Sequence, residues 1–353
     1  MPFREDGADE VLTRVLATGT FRASTDAAVI RDADAVIVVI GTPVDERMTP
    51  DPTEVVRVLA ECAPHLRDDQ LVVLRSTVFP GVTRRVEQVL REQGLACDVV
   101  FCPERIAEGH AMRELRELPQ IVGARTEAAG ARAAALFAVL GAEAVHVSPE
   151  EAELAKLFTN TWRYLKFAAA NQFWLMANEA GLDYSRIRVA ITHDYPRAAD
   201  LPGAGFAAGP CLLKDTMQLA AFTNNNFVLG HAAMLVNEGQ PNYLVERIAE
   251  RVDLATATVG VLGMAFKGES DDTRSSLSYP LKRALVFRAR EVLTTDPYVT
   301  TDPDLLPLDE VLARADVLVI GAPHRAYRDL ADRVRPGVPV FDVWDLLGHG
   351  SLV

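Results

Sequence analysis

Cysteine is scarce in this chain: four residues, Cys62, Cys97, Cys102 and Cys211, among 353. They show no metal-ligand spacing and no disulfide framework. This excludes a cysteine-based metal centre and a secreted disulfide scaffold, and it points to a reducing, cytoplasmic compartment. No apolar run approaches the length of a membrane span. The opening residues, MPFREDGADEVL, are acidic and do not form a signal peptide. Repeats and low-complexity segments are absent. Positive charge is in short supply, with 36 Lys and Arg against 49 Asp and Glu for a net −13. That balance argues against nucleic acid or an anionic membrane as the main partner. An anionic small ligand would have to be met by local lysine and arginine. The remainder, 49% hydrophobic and 24% charged, has the length for two or three domains with real cores.

The segment that organises the chain is Ser148 to Gly181. Ser148 can cap a helix, Pro149 suits its first position, Glu151 completes a capping box, and Gly181 can stop it. Such a helix would run about 45–50 Å at 1.5 Å per residue, long enough to join domains or carry a subunit interface. Glu153, Lys156, Asn160 and Arg163 step by three, four and three, which places them in one polar stripe among apolar residues. On spacing alone a solvated face is the commoner explanation; the sharper one is a charged strip facing a buried site.

Before this helix, strands and helices alternate. A short helix is expected over residues 10–18, a small strand near Phe21 and a helix near Ala27–Arg31. The run Ala35–Ile40 reads as a buried parallel strand, followed by Leu71–Leu74 and Val99–Cys102, with weaker strands at Ile121–Gly123 and Val145–Val147. This pitch means a parallel α/β sheet with crossovers. Ligands in such sheets lie past the carboxyl ends of the strands, where Thr42-Pro43, Ser76-Thr77 and Glu104-Arg105 stand. No Gly-x-Gly-x-x-Gly follows an early strand, and no acidic residue ends a second strand beyond one.

After the long helix, LPGAGFAAGPCLLKDT makes a glycine-rich loop whose backbone can approach a ligand closely. It delivers Cys211 to the start of a helix with Lys214-Asp215, a setting that favours a thiolate nucleophile. The bland alternative is a small buried core thiol, and it is preferred for Cys62, Cys97 and Cys102. A second α/β unit starts at Thr258–Leu262, with Lys267, Asp272 and Arg274 ahead of a helix in an anion-binding arrangement. Further strands are expected near Glu291–Leu293, Val317–Ile320 and Val338–Phe341.

Six segments, in order, resemble the UDP-glucose/GDP-mannose dehydrogenase family. They are Ile40-Gly41-Thr42-Pro43, Arg75-Ser76-Thr77-Val78 with Pro80-Gly81, and Pro103-Glu104-Arg105-Ile106 with Gly109. The others are Ala152-Glu153-Leu154-Ala155-Lys156 with Asn160, the loop Gly203–Asp215, and Ala265-Phe266-Lys267 with Asp272-Thr273-Arg274-Ser275-Ser276. The resemblance implies two Rossmann-like parallel-sheet domains joined by the long helix and a helical middle domain. The divisions are 1–147 for NAD, 148–252 for the central dimerisation domain with the cysteine loop, and 253–353 for the UDP-sugar. It implies NAD as cofactor and four-electron oxidation of a nucleotide-linked hexose at C6, while the long helix itself suggests a homodimer. Cys211 would hold the aldehyde as thiohemiacetal and thioester. Lys156 and Asn160 would stabilise the oxyanion, Asp215 would hold the water that acts as base, and Glu104 with Thr77 would serve thioester hydrolysis. Thr42, Pro43, Ser76, Thr77 and Arg274 would face the cofactor; Glu104, Lys156, Asn160, Gly205, Phe206 and Lys267 would face the substrate.

Two departures from the family pattern carry expectations. The chain is expected to begin inside the cofactor domain, with the first sheet truncated and the opening βαβ unit of ~30 residues or more, with its glycine fingerprint and ribose acid, missing. The cysteine loop has one extra residue before Cys211, and Leu213 replaces a proline, which leaves the sugar open. Two other readings stay on the table: a non-catalytic nucleotide-sugar-binding remnant, and a two-electron hydroxyacid or 6-phosphogluconate-type dehydrogenase.

Overall fold

The computed structural model describes residues 4–42 and 51–353. By compactness the chain divides into two units: Met1–Asn160 with Lys214–Asn226, and Thr161–Leu213 with Phe227–Val353. No helix among the described residues is long and apolar enough to cross a membrane.

The first unit opens with α1 (Ala8–Thr18), stopped by Gly19 in the left-handed region, and a 3₁₀ turn at Ala27–Asp32. Then come β1 (Ala35–Val38), α2 (Glu54–Cys62), β2 (Leu71–Leu74), α3 (Val82–Glu92) and β3 (Asp98–Phe101). After them follow α4 (Ala111–Glu117), β4 (Gln120–Gly123), α5 (Glu127–Ala138) and β5 (Ala144–Val147). The five strands lie in chain order. β1, β2 and β3 are parallel, as are β4 and β5, but β4 meets β3 antiparallel through Phe101 and Gly123. The expected parallel-sheet architecture holds, with one antiparallel contact where β4 meets β3 at the single pair Phe101 and Gly123.

No strand forms near Phe21. Nor is β1 buried throughout: among the described residues it has a strand neighbour on one edge only, and Ile37 is 45% exposed. β2 matches its apolar sequence better, since Leu71, Val72, Val73 and Leu74 are all buried between β1 and β3.

The long helix α6 runs Pro149–Glu179. Its capping box forms as the sequence suggests: Ser148 N–H donates to Glu151 Oε2 at 2.7 Å, and Glu151 N–H donates back to Ser148 Oγ at 3.3 Å. Gly181 ends it, with Leu182 N–H reaching back to Ala177 O at 2.8 Å. The unit boundary passes through this helix after Asn160.

The second unit adds α7 (Tyr184–Thr192), then α8 (Leu212–Phe222), whose body belongs to the first unit, and α9 (Val228–Arg251). It continues with β6 (Thr258–Leu262), α10 (Ser278–Val286), β7 (Glu291–Thr295), α11 (Leu308–Arg314), β8 (Val317–Ile320) and β9 (Val340–Phe341). This sheet is fully parallel in the order β7-β6-β8-β9. One large core joins it to α6, α7 and α9 through Trp174, Tyr184, Leu244, Ile248, Val259 and Leu281.

Candidate active site

In the first unit the polar stripe of α6 points inward. Glu153, Lys156 and Asn160 are all buried, whereas Arg163 is exposed. Asn160 Nδ2 donates to Asp215 Oδ2 at 2.5 Å. Asp215 is wholly buried in the first turn of α8. Burial pushes its carboxyl above the ordinary range, while the charges of Lys214 and Lys156 and the Asn160 hydrogen bond pull the other way. Its Oδ1 has no hydrogen-bond partner among the described residues, and Lys214 Nζ stands 3.8 Å away. A buried acid with one unspent oxygen can exchange a proton with a neighbour. Cys211, which is exposed, immediately precedes this helix.

Lys214 was read from sequence only as a neighbour of Cys211. In the structure its Nζ donates to Thr42 O at 3.1 Å and Thr42 Oγ1 at 3.3 Å, and so fixes the chain past β1. Ser76 Oγ accepts from Ile40 N–H at 2.6 Å, and Thr77 follows half-buried. Pro43, also assigned to the cofactor, lies outside the described residues.

Glu104 is held on every side. Its Oε1 accepts from the backbone N–H groups of Arg105 at 2.7 Å and Ile106 at 3.0 Å, and its Oε2 accepts from Arg75. Arg75 is buried, donates to Cys102 O and Gln120 Oε1 at 3.0 Å each, and lies 4.7 Å from the centre of the Phe137 ring. The importance of Arg75 and Gln120 was not read from the sequence. An arginine just after an apolar strand was a usable sign, since buried charge demands a partner.

Among the described residues Glu153 makes no ion pair. Its carboxylate accepts from Gly81 N–H at 2.7 Å, Thr83 N–H at 2.8 Å and Thr83 Oγ1 at 2.6 Å, and so closes the N-terminus of α3.

In the second unit the loop before Cys211 is clamped by side chains. Asn171, buried on α6, makes a double bond pattern with Gly205: Gly205 N–H donates to Oδ1 and Nδ2 donates to Gly205 O, each at 3.0 Å. Gly205 has φ 143° and faces the Trp344 ring, which a Cβ would meet at 2.2 Å. Phe206 is buried and packs edge-on against the same ring at 6.0 Å. Glycine at 205 is therefore demanded by the close approach of Trp344. Asn171 could have been found, because it lies eleven residues after Asn160, a return to within about 20° on a helix.

Lys267 Nζ lies 5.3 Å over the Phe266 ring. Arg274 is largely exposed and doubly paired with Asp272, its Nη2 at 2.6 Å from Oδ2. Asp296, at the end of β7, accepts from Met264 N–H at 2.7 Å, Ala265 N–H at 3.0 Å and His324 Nε2 at 3.0 Å. His324 Nδ1 accepts from Glu269 N–H, which leaves Nε2 as the protonated nitrogen. Burial alone would raise the Asp296 carboxyl, but His324 and the backbone donors outweigh it and hold it at about 2.

Three family models, all of the UDP-glucose/GDP-mannose dehydrogenase family, match in order: the NAD binding domain over residues 1–141, the central domain over 150–239 and the UDP binding domain over 260–349. The UDP-N-acetyl-D-mannosamine dehydrogenase of Pyrococcus horikoshii is 30% identical over 339 residues, covering 92% of this chain and 80% of that protein. An NDP-N-acetyl-D-galactosaminuronic acid dehydrogenase of Ralstonia solanacearum is 28% identical, covering 95% and 84%. The solved structure of a UDP-glucose dehydrogenase from Pyrobaculum islandicum superposes with a TM-score of 0.85 at 28% identity, covering 92% of this chain and 81% of that one.

The expectation of a missing N-terminal nucleotide unit is not borne out, since the NAD-binding model matches from residue 1. The cofactor is NAD. The donors past β1 and β2 fit it in kind: Thr42, Ser76 and Thr77 carry neutral hydroxyls suited to ribose and carboxamide groups. The buried Gln218 Oε1 has no hydrogen-bond partner among the described residues and lines a recess with Thr42 and Val78. The chain belongs to the UDP-glucose/GDP-mannose dehydrogenase family, an oxidoreductase family that uses NAD.

Proposed function

We propose that this protein oxidises C6 of a UDP-linked 2-acetamido-hexose from alcohol to carboxylate, with two NAD⁺ consumed per sugar. The observation that carries the reading is the buried Asp215, bonded to Asn160, beside Lys156 and Lys214, on the helix that Cys211 precedes. Support for the acetamido-sugar comes from the Pyrococcus and Ralstonia relatives, whose names specify such sugars.

Bound NAD⁺ supplies a hydride acceptor twice. Between the two transfers the chain must hold an aldehyde without losing it, and that is the role given to Cys211: its thiolate adds to the carbonyl carbon, forming a thiohemiacetal. Lys156 and Asn160 offer N–H donors to the oxygen on which negative charge develops. Asp215, with its raised proton affinity, takes the alcohol proton through a bound water. The second oxidation leaves a thioester. Water attacks its carbonyl, the C–S bond breaks, and the carboxylate and the Cys211 thiol are released, with Glu104 and Thr77 orienting the water. Because Arg75 and two backbone N–H groups grip Glu104, its task is orientation more than free proton exchange.

Lys267 is assigned to the nucleotide-sugar, together with the loop at Gly205 and Phe206, and Arg274 to the cofactor side. The domains are assigned as 1–147, 148–252 and 253–353. A homodimer is supported by Trp162, Phe173 and Met176, which share one face of α6 and are each about half exposed or more.

The test is NADH formed per sugar over a panel of UDP-glucose, UDP-N-acetyl-D-mannosamine and UDP-N-acetyl-D-galactosamine. The expected result is two NADH per acetamido-sugar and loss of the full reaction in Cys211→Ala. Unchanged turnover in Cys211→Ala would falsify the covalent route.

A further inference from the structure

The loop that ends at Cys211 is held at four places within the second unit. Arg188 Nε donates to Leu201 O at 2.9 Å, Tyr184 Oη donates to Pro202 O at 3.1 Å, and Asn171 clasps Gly205. The fourth hold is the last before the cysteine, and it comes from elsewhere. Gly209 N–H donates to Ser275 O at 3.2 Å, and Gly209 lies flat against the Phe266 ring, where a Cβ would stand 2.7 Å from Cδ2. Phe266 and Ser275 both lie in the part of the chain matched by the UDP binding domain.

The segment that makes this hold is itself rigid. Phe266 N–H donates to Asp272 O at 2.9 Å, Ser276 Oγ donates to Ala265 O at 3.1 Å, and Ala265 N–H is tied to Asp296. Along the same seam runs a cleft of about 360 Å³ with Ala207, Ala208 and Gly209 on one wall and Thr273, Ser275 and Ser276 among its other lining residues. A ligand group bound on the Lys267 side of Phe266 would act on a ring that touches the loop directly.

Resting on the reading of Cys211 as nucleophile, we propose that Phe266 is a positioning residue that transmits nucleotide occupancy to Cys211 through Gly209. The geometry carries this in three steps. Lys267 lies over one ring, and that ring meets Gly209 with no side chain between. Gly209 sits at φ 102°, where another residue would be strained, so the close approach is available only to glycine. One residue then separates it from Cys211, and that residue is Pro210, whose ring fixes φ. A displacement at Gly209 therefore has one stiffened residue to cross before Cys211. The device spends remote binding energy on alignment at the reacting carbon.

The experiment uses the full chain, with UDP as the probe. The rate of Cys211 alkylation by iodoacetamide is followed by peptide mass spectrometry with and without UDP, beside kcat and KM. In the parent protein UDP shifts the alkylation rate. In Phe266→Leu, UDP still binds within about threefold, but its effect on alkylation disappears and kcat falls by at least about tenfold with KM little changed. Phe266→Tyr keeps the ring and restores both. Direct shielding of the thiol by UDP predicts the opposite, an alkylation effect that survives in Phe266→Leu. If that variant responds to UDP as the parent does and keeps its kcat, the proposal is overturned. Should Phe266→Leu fail to fold, Gly209→Ala, which forces the same ring away, must show the same uncoupling. Cys211→Ala separates the two claims: activity retained there sinks the nucleophile reading, whereas activity lost there with Phe266→Leu unaffected sinks only the positioning role.

Discussion

Asp215 and Asp296 show how neighbours decide the state of a buried carboxyl. Asp215 is desolvated, and two lysines and one amide do not fully offset that, so its proton affinity is raised. A raised carboxyl takes up its proton more readily in the folded state, so stability falls as pH rises from the unfolded value of 3.8 through the folded one. Asp215→Asn removes this penalty. The melting temperature of the variant at neutral pH should be no lower than the parent's, the two should converge below about pH 4, and kcat should fall by about a hundredfold or more. A clear loss of melting temperature at neutral pH would show that the lysines do more than the reading allows. Asp296 is the opposite case, held at about 2 by His324 and backbone donors. Its contribution of about 2 kcal/mol is present above the ordinary carboxylate range and is lost as pH falls from about 4 through about 2. Asp296→Asn should therefore cost stability at pH 7, read by urea unfolding, with the difference shrinking in acid.

At the scale of elements, α6 binds the two units into one chain path and spends its polar residues on three tasks. Glu153 closes α3, Asn160 holds Asp215, and Asn171 holds the cysteine loop. The capping of α3 is a long-range one, from a carboxylate seventy residues away. Glu153→Ala leaves the N–H groups of Gly81 and Thr83 without their acceptor, and the expected cost is about 2 kcal/mol in urea unfolding. UDP binding, which belongs to the other unit, should be unaltered. A variant as stable as the parent would mean that water replaces the carboxylate at no cost.

For the whole molecule, the exposed aromatic face of α6 is the surface that bears on assembly. Trp162 and Met176 are each 59% exposed, on a helix whose other face is fully buried at Tyr164 and Trp174. Covering such a face with a second copy would remove it from water. Trp162→Glu should turn a dimer into a monomer in size-exclusion light scattering, and a parent protein that elutes as a monomer would refute the dimer itself.

Local patterns set much of what was readable in advance. The Ser148–Glu151 capping box and the Gly181 stop are contacts between near neighbours, so residue type and spacing suffice to name them. The same holds for β2, β6 and β8, apolar runs with a strand neighbour on each side, and for the ordered motifs that place the chain in its family. Other features depend on which distant segments meet. Whether Glu153 would face a cation or the end of a helix, and whether Gly205 would face a ligand or Trp344, turned on residues about 70 and 140 positions away. The edge position of β1 and the antiparallel turn of β4 are likewise properties of a sheet, not of a strand. Sequence by itself determined the residue types, the helix limits and the family, because each rests on local chemistry. Only the tertiary structure decided which buried charge has which partner, because a partner is chosen by distance in space and the chain brings those groups together only when folded.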